Sequence, residues 1–456
     1  MDSQALLSKQ VDAQLHVVMF PWLAFGHMIP YLELAKLIAQ SGNHVSFVST
    51  PRNIDRLPKL PPNLAPFITF VKLPLPHVPN LLENAEATAD LPNDKVQFLK
   101  VAYDLLQQPM TRFLDAADPD WVIHDFAPYW LGPIATKLGI SCAFFSIFNA
   151  SSVSFFTPGD QLEYRSEPDH FTVPPKWVPF QSKVAFRYFE IKKIISEGLS
   201  GDASGVSFKY RLTESIEGCD LLAWLRLLEQ LNRKPVIPVG QLAPELDDRG
   251  DYGKDETWQQ IKEWLDKLAR GSVVYVAFGS EAKPNQTEIT EIALGLEQSE
   301  LPFFWVLKMS LGPSDTEMVK LPEGFEERTK GRGSRLHRWI LESLRWSSVV
   351  EALSLERPLI LLTFFADQGL NASFLQEKKM GYLIPRNEGD GSFTREAVAQ
   401  SLRLVMVEEG GKIYRDKAKE MSSLFRDRDK QKQYMDNFVS YLKAYRRIKN
   451  KGVAAS

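Results

Sequence analysis

The run Leu15-His-Val-Val-Met-Phe20 is followed by Pro21-Trp-Leu-Ala-Phe-Gly-His27, then by Pro30-Tyr-Leu-Glu-Leu-Ala-Lys-Leu-Ile-Ala-Gln40, then by His44-Val-Ser-Phe-Val-Ser49. The first run is short and apolar, which fits a buried strand. From Pro30 onward Leu34, Leu37 and Ile38 recur at helical spacing until Gly42 stops the pattern. His44 to Ser49 is strand-like again. Strand, loop, helix and strand in this order make a βαβ unit, which crosses over right-handedly into a parallel sheet.

The same rhythm returns at Trp121 to His124, Trp130 to Leu138 and Ala143 to Ile147. Pro235, Pro238, Gly240 and Pro244 then lead into an acidic, polar stretch, Glu245 to Gly253, which reads as a linker. Beyond it the alternation restarts. Strands are expected at Ser272 to Phe278, Phe303 to Leu307, Pro358 to Phe364 and Tyr382 to Pro385, with a helix at Thr287 to Gln298. Helices at Glu396 to Glu408, Tyr414 to Leu424 and Tyr434 to Arg447 complete the pattern. Gly331 to Arg345 breaks it, being basic and without strand alternation, so the second sheet is expected to be short of a strand. The domain reading is 1–240 as a first Rossmann-like domain, 241–255 as linker, 256–432 as a second, and 433–456 as a terminal helix returning toward the first.

A chain of 456 residues exceeds what one core organises, in keeping with two domains. A net charge of -3 argues against nucleic acid as a partner. Cys142 and Cys219 are the only cysteines, which fits a reducing compartment and excludes a disulfide framework; neither has a metal-ligand neighbour at a useful spacing. Met1 to Gln14 is polar and mixed, so the expectation is a cytoplasmic protein without signal or integral membrane segment, and a monomer.

Ligands of open parallel sheets collect beyond the carboxyl ends of the strands. His27 follows the first strand and Asp125 follows Trp121 to His124, so both point to one edge of one sheet. A histidine with a carboxylate partner makes a general base near neutral pH, because the carboxylate fixes the tautomer and stabilises the imidazolium. The alternative is structural: His27 as a helix-start residue and Asp125 as an N-cap. His124, next door, is expected to face the other way and to be structural. Phe278-Gly-Ser280 ends a strand before a helix capped by Asn285 or Thr287, a loop suited to phosphate but weakly specific. No GxGxxG follows the first strand and no GxxxxGK[ST] is present, against a nicotinamide enzyme and a P-loop. Asp118-Pro-Asp120 mimics a metal-binding DxD, but its proline favours a turn. Trp22, Phe25, Phe144, Phe145 and Phe148 could line an apolar acceptor site or be plain core.

Met19-Phe-Pro-Trp-Leu-Ala-Phe-Gly-His27, Asp120-Trp-Val-Ile-His-Asp-Phe126, Phe278-Gly-Ser280, Trp346-Ser-Ser-Val-Val-Glu351 and Phe365-Ala-Asp-Gln368 stand in this order. Together they resemble the plant UDP-dependent glycosyltransferases, closest to plant family 91, whose members extend the sugar of a terpenoid, saponin or flavonoid glycoside. The resemblance covers nearly the whole chain. It implies a GT-B fold of class α/β, with two Rossmann-like doubly wound domains facing across a cleft. It implies inverting transfer of a sugar from a UDP-sugar, glucose favoured and rhamnose the alternative, to a hydroxyl of a small hydrophobic glycoside acceptor. His27 would deprotonate the acceptor and Asp125 orient it. Ser280 would meet the donor phosphates, Glu351 the ribose, and Asp367 with Gln368 the sugar, while Trp346 and Ser348 line the donor pocket. The UDP-sugar is a co-substrate; no cofactor and no metal are implied.

One departure bears on activity. The family's donor signature opens with a Trp-Ala-Pro-Gln type motif and continues through a diphosphate-binding His, a Gly-Gly-Phe strand and a His-Cys-Gly. Here Gly333-Ser-Arg-Leu-His-Arg-Trp-Ile-Leu-Glu-Ser-Leu-Arg345 runs directly to Trp346. His337 and Trp339 lack the family's context and take no role. The segment Cys219-Asp-Leu-Leu-Ala-Trp-Leu-Arg226 is shortened as well, where the family places a longer loop with Glu-Pro-Glu before the Trp. The expectations are therefore a transferase with impaired donor binding or, alternatively, a noncatalytic remnant that binds an acceptor-like molecule or a partner.

Overall fold

The structure is a computed structural model describing residues 14–156, 165, 167–178, 180–196, 202–223, 234–242, 256–278, 282, 284–307, 320–336, 346–364 and 367–446. The chain divides into two compact units. The first comprises residues 1–166, 195–242 and 428–456; the second comprises 167–194 and 243–427. The expected linker falls mostly outside the described residues, as do 224–226.

The first unit holds a parallel seven-stranded sheet, ordered β3-β2-β1-β4-β5-β6-β7. Its strands are β1 (His16–Phe20), β2 (His44–Ser49), β3 (Ile68–Lys72), β4 (Trp121–His124), β5 (Ser141–Phe145), β6 (Leu221–Ala223) and β7 (Val236–Ile237). The central strands are apolar almost without alternation because helices cover both faces. Successive side chains nevertheless point to opposite faces and feed separate cores. Val18, Phe20, Val122, Cys142, Phe144 and Leu222 enter one core, together with Leu131 and Ala135 of the helix Leu131–Leu138. Val17, Met19, Ile123, Ala143, Phe145 and Leu221 enter the other. There they meet Tyr31, Leu34 and Ile38 of the helix Phe25–Gln40 and Phe438 and Leu442 of the helix Arg428–Tyr445. The Trp121 indole donates to the Leu442 carbonyl at 2.9 Å, so the terminal helix is part of the first unit.

Two sequence expectations need correction. The helix after β1 starts at Phe25, not Pro30, and Pro30 lies inside it. Proline this near a helix start forfeits only one backbone bond. His27 is thus a first-turn residue. The stretch from Gly331 does contain a strand, β10 (Gly333–Leu336), paired in parallel with β9 (Phe303–Val306). Among the described residues β10 pairs with β9 alone, at the edge of its sheet, and its Gly-Ser-Arg-Leu shows no alternation.

In the second unit β10, β9 and β8 (Val274–Ala277) form one parallel sheet; β11 (Leu359–Leu361) and β12 (Gly381–Leu383) form another. Among the described residues no strand joins β8 to β11. A common core nonetheless runs under both, through Val274, Trp305, Leu362 and Ile384. The helix Gln286–Ser299 is capped by Asn285, whose side chain accepts from Glu288 N while Glu288 answers the Asn285 N–H. Asp118 is left-handed (φ 45°) and Asp120 accepts from His16 N at 2.9 Å, so the Asp-Pro-Asp stretch is a turn braced on β1.

A tight contact in the first unit gives a stability prediction. A Cβ on Gly132 would lie 2.6 Å from the Gly218 carbonyl oxygen and 2.7 Å from its Cα. Both are backbone atoms and cannot swing away. Gly132→Ala is expected to cost about 1–3 kcal/mol, read as a lower urea midpoint; an unchanged midpoint would mean that the helix Leu131–Leu138 shifts freely.

Candidate active site

The site of the first unit grows from the pairing of β1 with β4, which sets Phe20 beside His124. The segments that follow the two strands therefore emerge side by side. In the first, Ala24 opens the helix Phe25–Gln40, with Met28 N donating to its carbonyl at 2.9 Å. His27 is carried by the first turn. In the second, Asp125 directly follows β4.

His27 Nδ1 lies 2.8 Å from Asp125 Oδ2, and both residues are buried, 5% and 1% exposed. The same oxygen accepts from Trp22 N at 2.8 Å, and Oδ1 accepts from Ala127 N at 3.1 Å. Three donors thus fix the carboxylate. An ionised carboxylate only accepts, so the proton of the imidazole sits on Nδ1 and Nε2 keeps its lone pair. Phe126 and Phe148 flank the ring at 5.5 and 5.8 Å between centroids. The N-cap alternative for Asp125 does not hold, because the next helix is capped at Trp130 and the carboxylate serves the imidazole.

Of the aromatic residues expected near an acceptor, Phe144 and Phe145 are core residues of β5, one on each face. Phe25 and Phe148 are half-buried, and Trp22 is buried edge-on to Tyr103. His124 faces away from the dyad, as expected, with its Nδ1 2.8 Å from the Asp125 carbonyl oxygen.

The residues expected on the donor side fall in the second unit. Ser348 and Glu351, both half-buried, are three apart on the helix Trp346–Ser354 and share a face. Val349, Val350 and Leu353 turn instead into a core with Leu359, Leu361 and Leu375. Asp367 caps the helix Gln368–Glu377 by position and accepts from Asn371 Nδ2 at 2.8 Å. Gln368 is 4% exposed; its Oε1 accepts from Phe364 N at 2.9 Å, while its buried Nε2 has no hydrogen-bond partner among the described residues. Ser280, His337 and Trp339 lie outside the described residues. Trp346 starts its helix, and its side chain lies outside the description.

Sequence reading missed one neighbour of these residues. The helix Tyr188–Ile194 comes from the first half of the chain yet belongs to the second unit. Arg187 pairs with Glu190 at 2.7 Å and donates to Thr363 Oγ1 at 2.8 Å, and Lys193 Nζ donates to the Phe364 carbonyl at 3.1 Å. Glu190 packs against Gly369, one residue from Gln368. Arg386, whose guanidinium stacks on Phe189 and Phe393, is lowered to about 10, by burial first and by the charge of Arg187 second. Nothing in the local sequence of 187–193 marks this placement; the signal lies in long-range pairing.

The first of two α/β units thus places a buried His-carboxylate pair after adjacent strands, an arrangement that can supply a general base. No family model matches the chain. It is 52% identical to UDP-glycosyltransferase 91A1 of Arabidopsis thaliana, over 94% of this chain and 97% of that protein. It is 44% identical to UDP-glycosyltransferase 91D2 of Stevia rebaudiana over 94% and 95%, and 40% identical to the soyasaponin III rhamnosyltransferase of Glycine max over 98% and 99%. Among solved structures, Arabidopsis thaliana UGT89C1 complexed with UDP-L-rhamnose is similar with a TM-score of 0.70 at 20% identity, over 94% of this chain and 100% of that one. The chain belongs to the plant UDP-glycosyltransferases, in the family 91 group, and has their GT-B fold. Among the described residues no helix is long and apolar enough to cross a membrane.

Proposed function

We propose that this chain moves a sugar from a UDP-sugar, glucose in preference to rhamnose, onto a hydroxyl of a terpenoid or flavonoid glycoside, with inversion. The observation that carries the reading is the 2.8 Å contact of His27 Nδ1 with the buried Asp125 carboxylate, which leaves Nε2 as base. Nε2 takes the acceptor proton as the acceptor oxygen bonds to the anomeric carbon. The bond from that carbon to the phosphate oxygen breaks, and UDP leaves with the electron pair. Asp125 holds the ring in place and stabilises the imidazolium. No metal is required, because fixed dipoles and cations can carry the diphosphate charge. Ser280, Trp346, Ser348, Glu351, Asp367 and Gln368 form the donor side. The open Nε2 of Gln368 supports a sugar partner, since a buried amide donor left unpaired costs about 1–3 kcal/mol. The enzyme works as a cytoplasmic monomer.

A second reading is favoured by one observation. The two sheets of the second unit are not joined among the described residues, at the place where the family's Gly-Gly-Phe strand is missing from the sequence. A chain so altered is a remnant that keeps the first unit's site and has lost the donor. Calorimetric titration with UDP-glucose and UDP-rhamnose, with UDP release measured on a panel of glycosides, separates the two. Saturable donor binding with UDP release is expected, weaker than in relatives with the full signature. A folded protein that binds glycosides but no UDP-sugar would leave only the remnant.

A further inference from the structure

Three soft donors converge in the core of the first unit, although positions 124, 142 and 219 have no motif spacing. His124 ends β4, Cys142 is the second residue of β5, and Cys219 lies two residues before β6, the next strand in the sheet. Cys142 Sγ and Cys219 Sγ are 3.4 Å apart, Cys219 Sγ is 3.2 Å from His124 Nε2, and all three donor atoms lie within 4.8 Å of one another. His124 and Cys142 are fully buried, and Cys219 is 3% exposed. Among the described residues this is the only group of three such side chains that could hold a metal ion.

We infer that His124, Cys142 and Cys219 form a structural zinc site that ties together the ends of β4, β5 and β6. The ring is already in the required tautomer. His124 Nδ1–H donates to the Asp125 carbonyl at 2.8 Å, so Nε2 turns its lone pair toward the sulfurs. Such an outer hydrogen bond is the usual companion of a metal-bound imidazole. Charge favours zinc: two thiolates cancel a dipositive ion, and a neutral cluster is what a dry core tolerates. Size is compatible too. Bonds of about 2.3 Å to sulfur and about 2.0 Å to nitrogen set the donors of a tetrahedron about 3.5–3.8 Å apart, so the 3.4 Å Cys142–Cys219 and 3.2 Å Cys219–His124 separations need open only slightly. The Ser215 carbonyl accepts from Cys219 Sγ at 3.0 Å, so a backbone oxygen also stands beside this sulfur. As zinc binds, each thiol gives up its proton to solvent and the sulfur lone pair goes to the metal. A site this enclosed is filled as the chain folds. Because His124 precedes Asp125, the ion would also stiffen the backbone that carries the dyad's carboxylate.

The full-length chain, produced in zinc-supplemented medium, is expected to carry one zinc per chain by elemental analysis. Refolding with cobalt(II) in its place should give intense visible bands of a tetrahedral ion and a thiolate-to-cobalt band in the near ultraviolet. Stripping zinc with a chelator should lower the thermal midpoint by about 5 °C. Cys142→Ser should lose about half of the near-ultraviolet band's intensity, since one of two thiolates is removed, and if that variant does not fold, the wild-type cobalt spectrum decides alone. A chain that folds without zinc and gains no cobalt bands overturns the site. So does a metal-free chain in which oxidised glutathione closes a Cys142–Cys219 disulfide, since the pair would then be a bare dithiol.

Discussion

His27→Ala is expected to lower kcat by about a thousandfold while leaving the unfolding midpoint and UDP-sugar affinity near their wild-type values. The estimate follows from general-base catalysis, which contributes roughly 10²–10⁴ in rate. His27 touches Asp125 through one hydrogen bond and lies on a helix whose first turn is held by backbone contacts to Ala24, so its removal leaves the helix start intact. Asp125→Asn is the sharper variant. Its amide can still occupy the position but no longer accepts at both atoms from His27, Trp22 and Ala127, which all point donors at the carboxylate. The ring then loses both its tautomer and its counter-charge. A comparable loss of kcat is expected, with KM changed less. Turnover unchanged in either variant, measured by UDP release, would remove the dyad from the mechanism.

The largest stability effect is expected away from that chemistry, at Asp104. Its carboxylate is the partner of Arg211, which is 1% exposed, through bonds of 2.7 Å and 2.5 Å. Arg211 also donates to the Ala127 carbonyl at 3.0 Å and to Ser204 Oγ at 3.0 Å, and lies over the Tyr129 ring. Asp104→Ala leaves a guanidinium buried without its counter-charge, which typically costs about 3–5 kcal/mol. The cost should appear in the urea transition of the first unit. Replacing both partners, Asp104→Leu with Arg211→Met, should recover much of the loss, since it removes the stranded charge. A double variant no better than the single one would show that Arg211 acts through shape. Because Arg211 braces Ala127, two residues from Asp125, the single variant should also reduce activity in the fraction that stays folded.

Much of this was readable from the chain. The first βαβ run was legible because strand length, helical spacing and Gly42 agreed. The dyad was legible because residues that follow neighbouring parallel strands meet at one sheet edge, and β1 pairs with β4. What escaped was non-local. β10 reads Gly-Ser-Arg-Leu, with no alternation to betray it, and becomes a strand only by pairing with β9. Pro30 looked like a helix start because proline is favoured there, yet the preceding turn folds as helix all the same. The placement of 187–193 with the second unit and the convergence of His124, Cys142 and Cys219 both depend on distant parts of the chain meeting, which no window of sequence contains.

The path of the chain between its two units limits how the protein can be cut. It passes from one to the other after residues 166, 194, 242 and 427. A fragment stopped at 242 would keep all seven strands of the first sheet yet lose Met435, Phe438, Val439 and Leu442 from one of its cores, and the acceptor of the Trp121 indole with them. A fragment begun at 243 would lack the Arg187 and Glu190 contacts to Thr363. Neither half is therefore a module in the genetic sense. An independently folding first unit would have to be built by joining residue 166 to 195 and 242 to 428, and exchange of the second unit between relatives should move two separate stretches of sequence, 167–194 and 243–427.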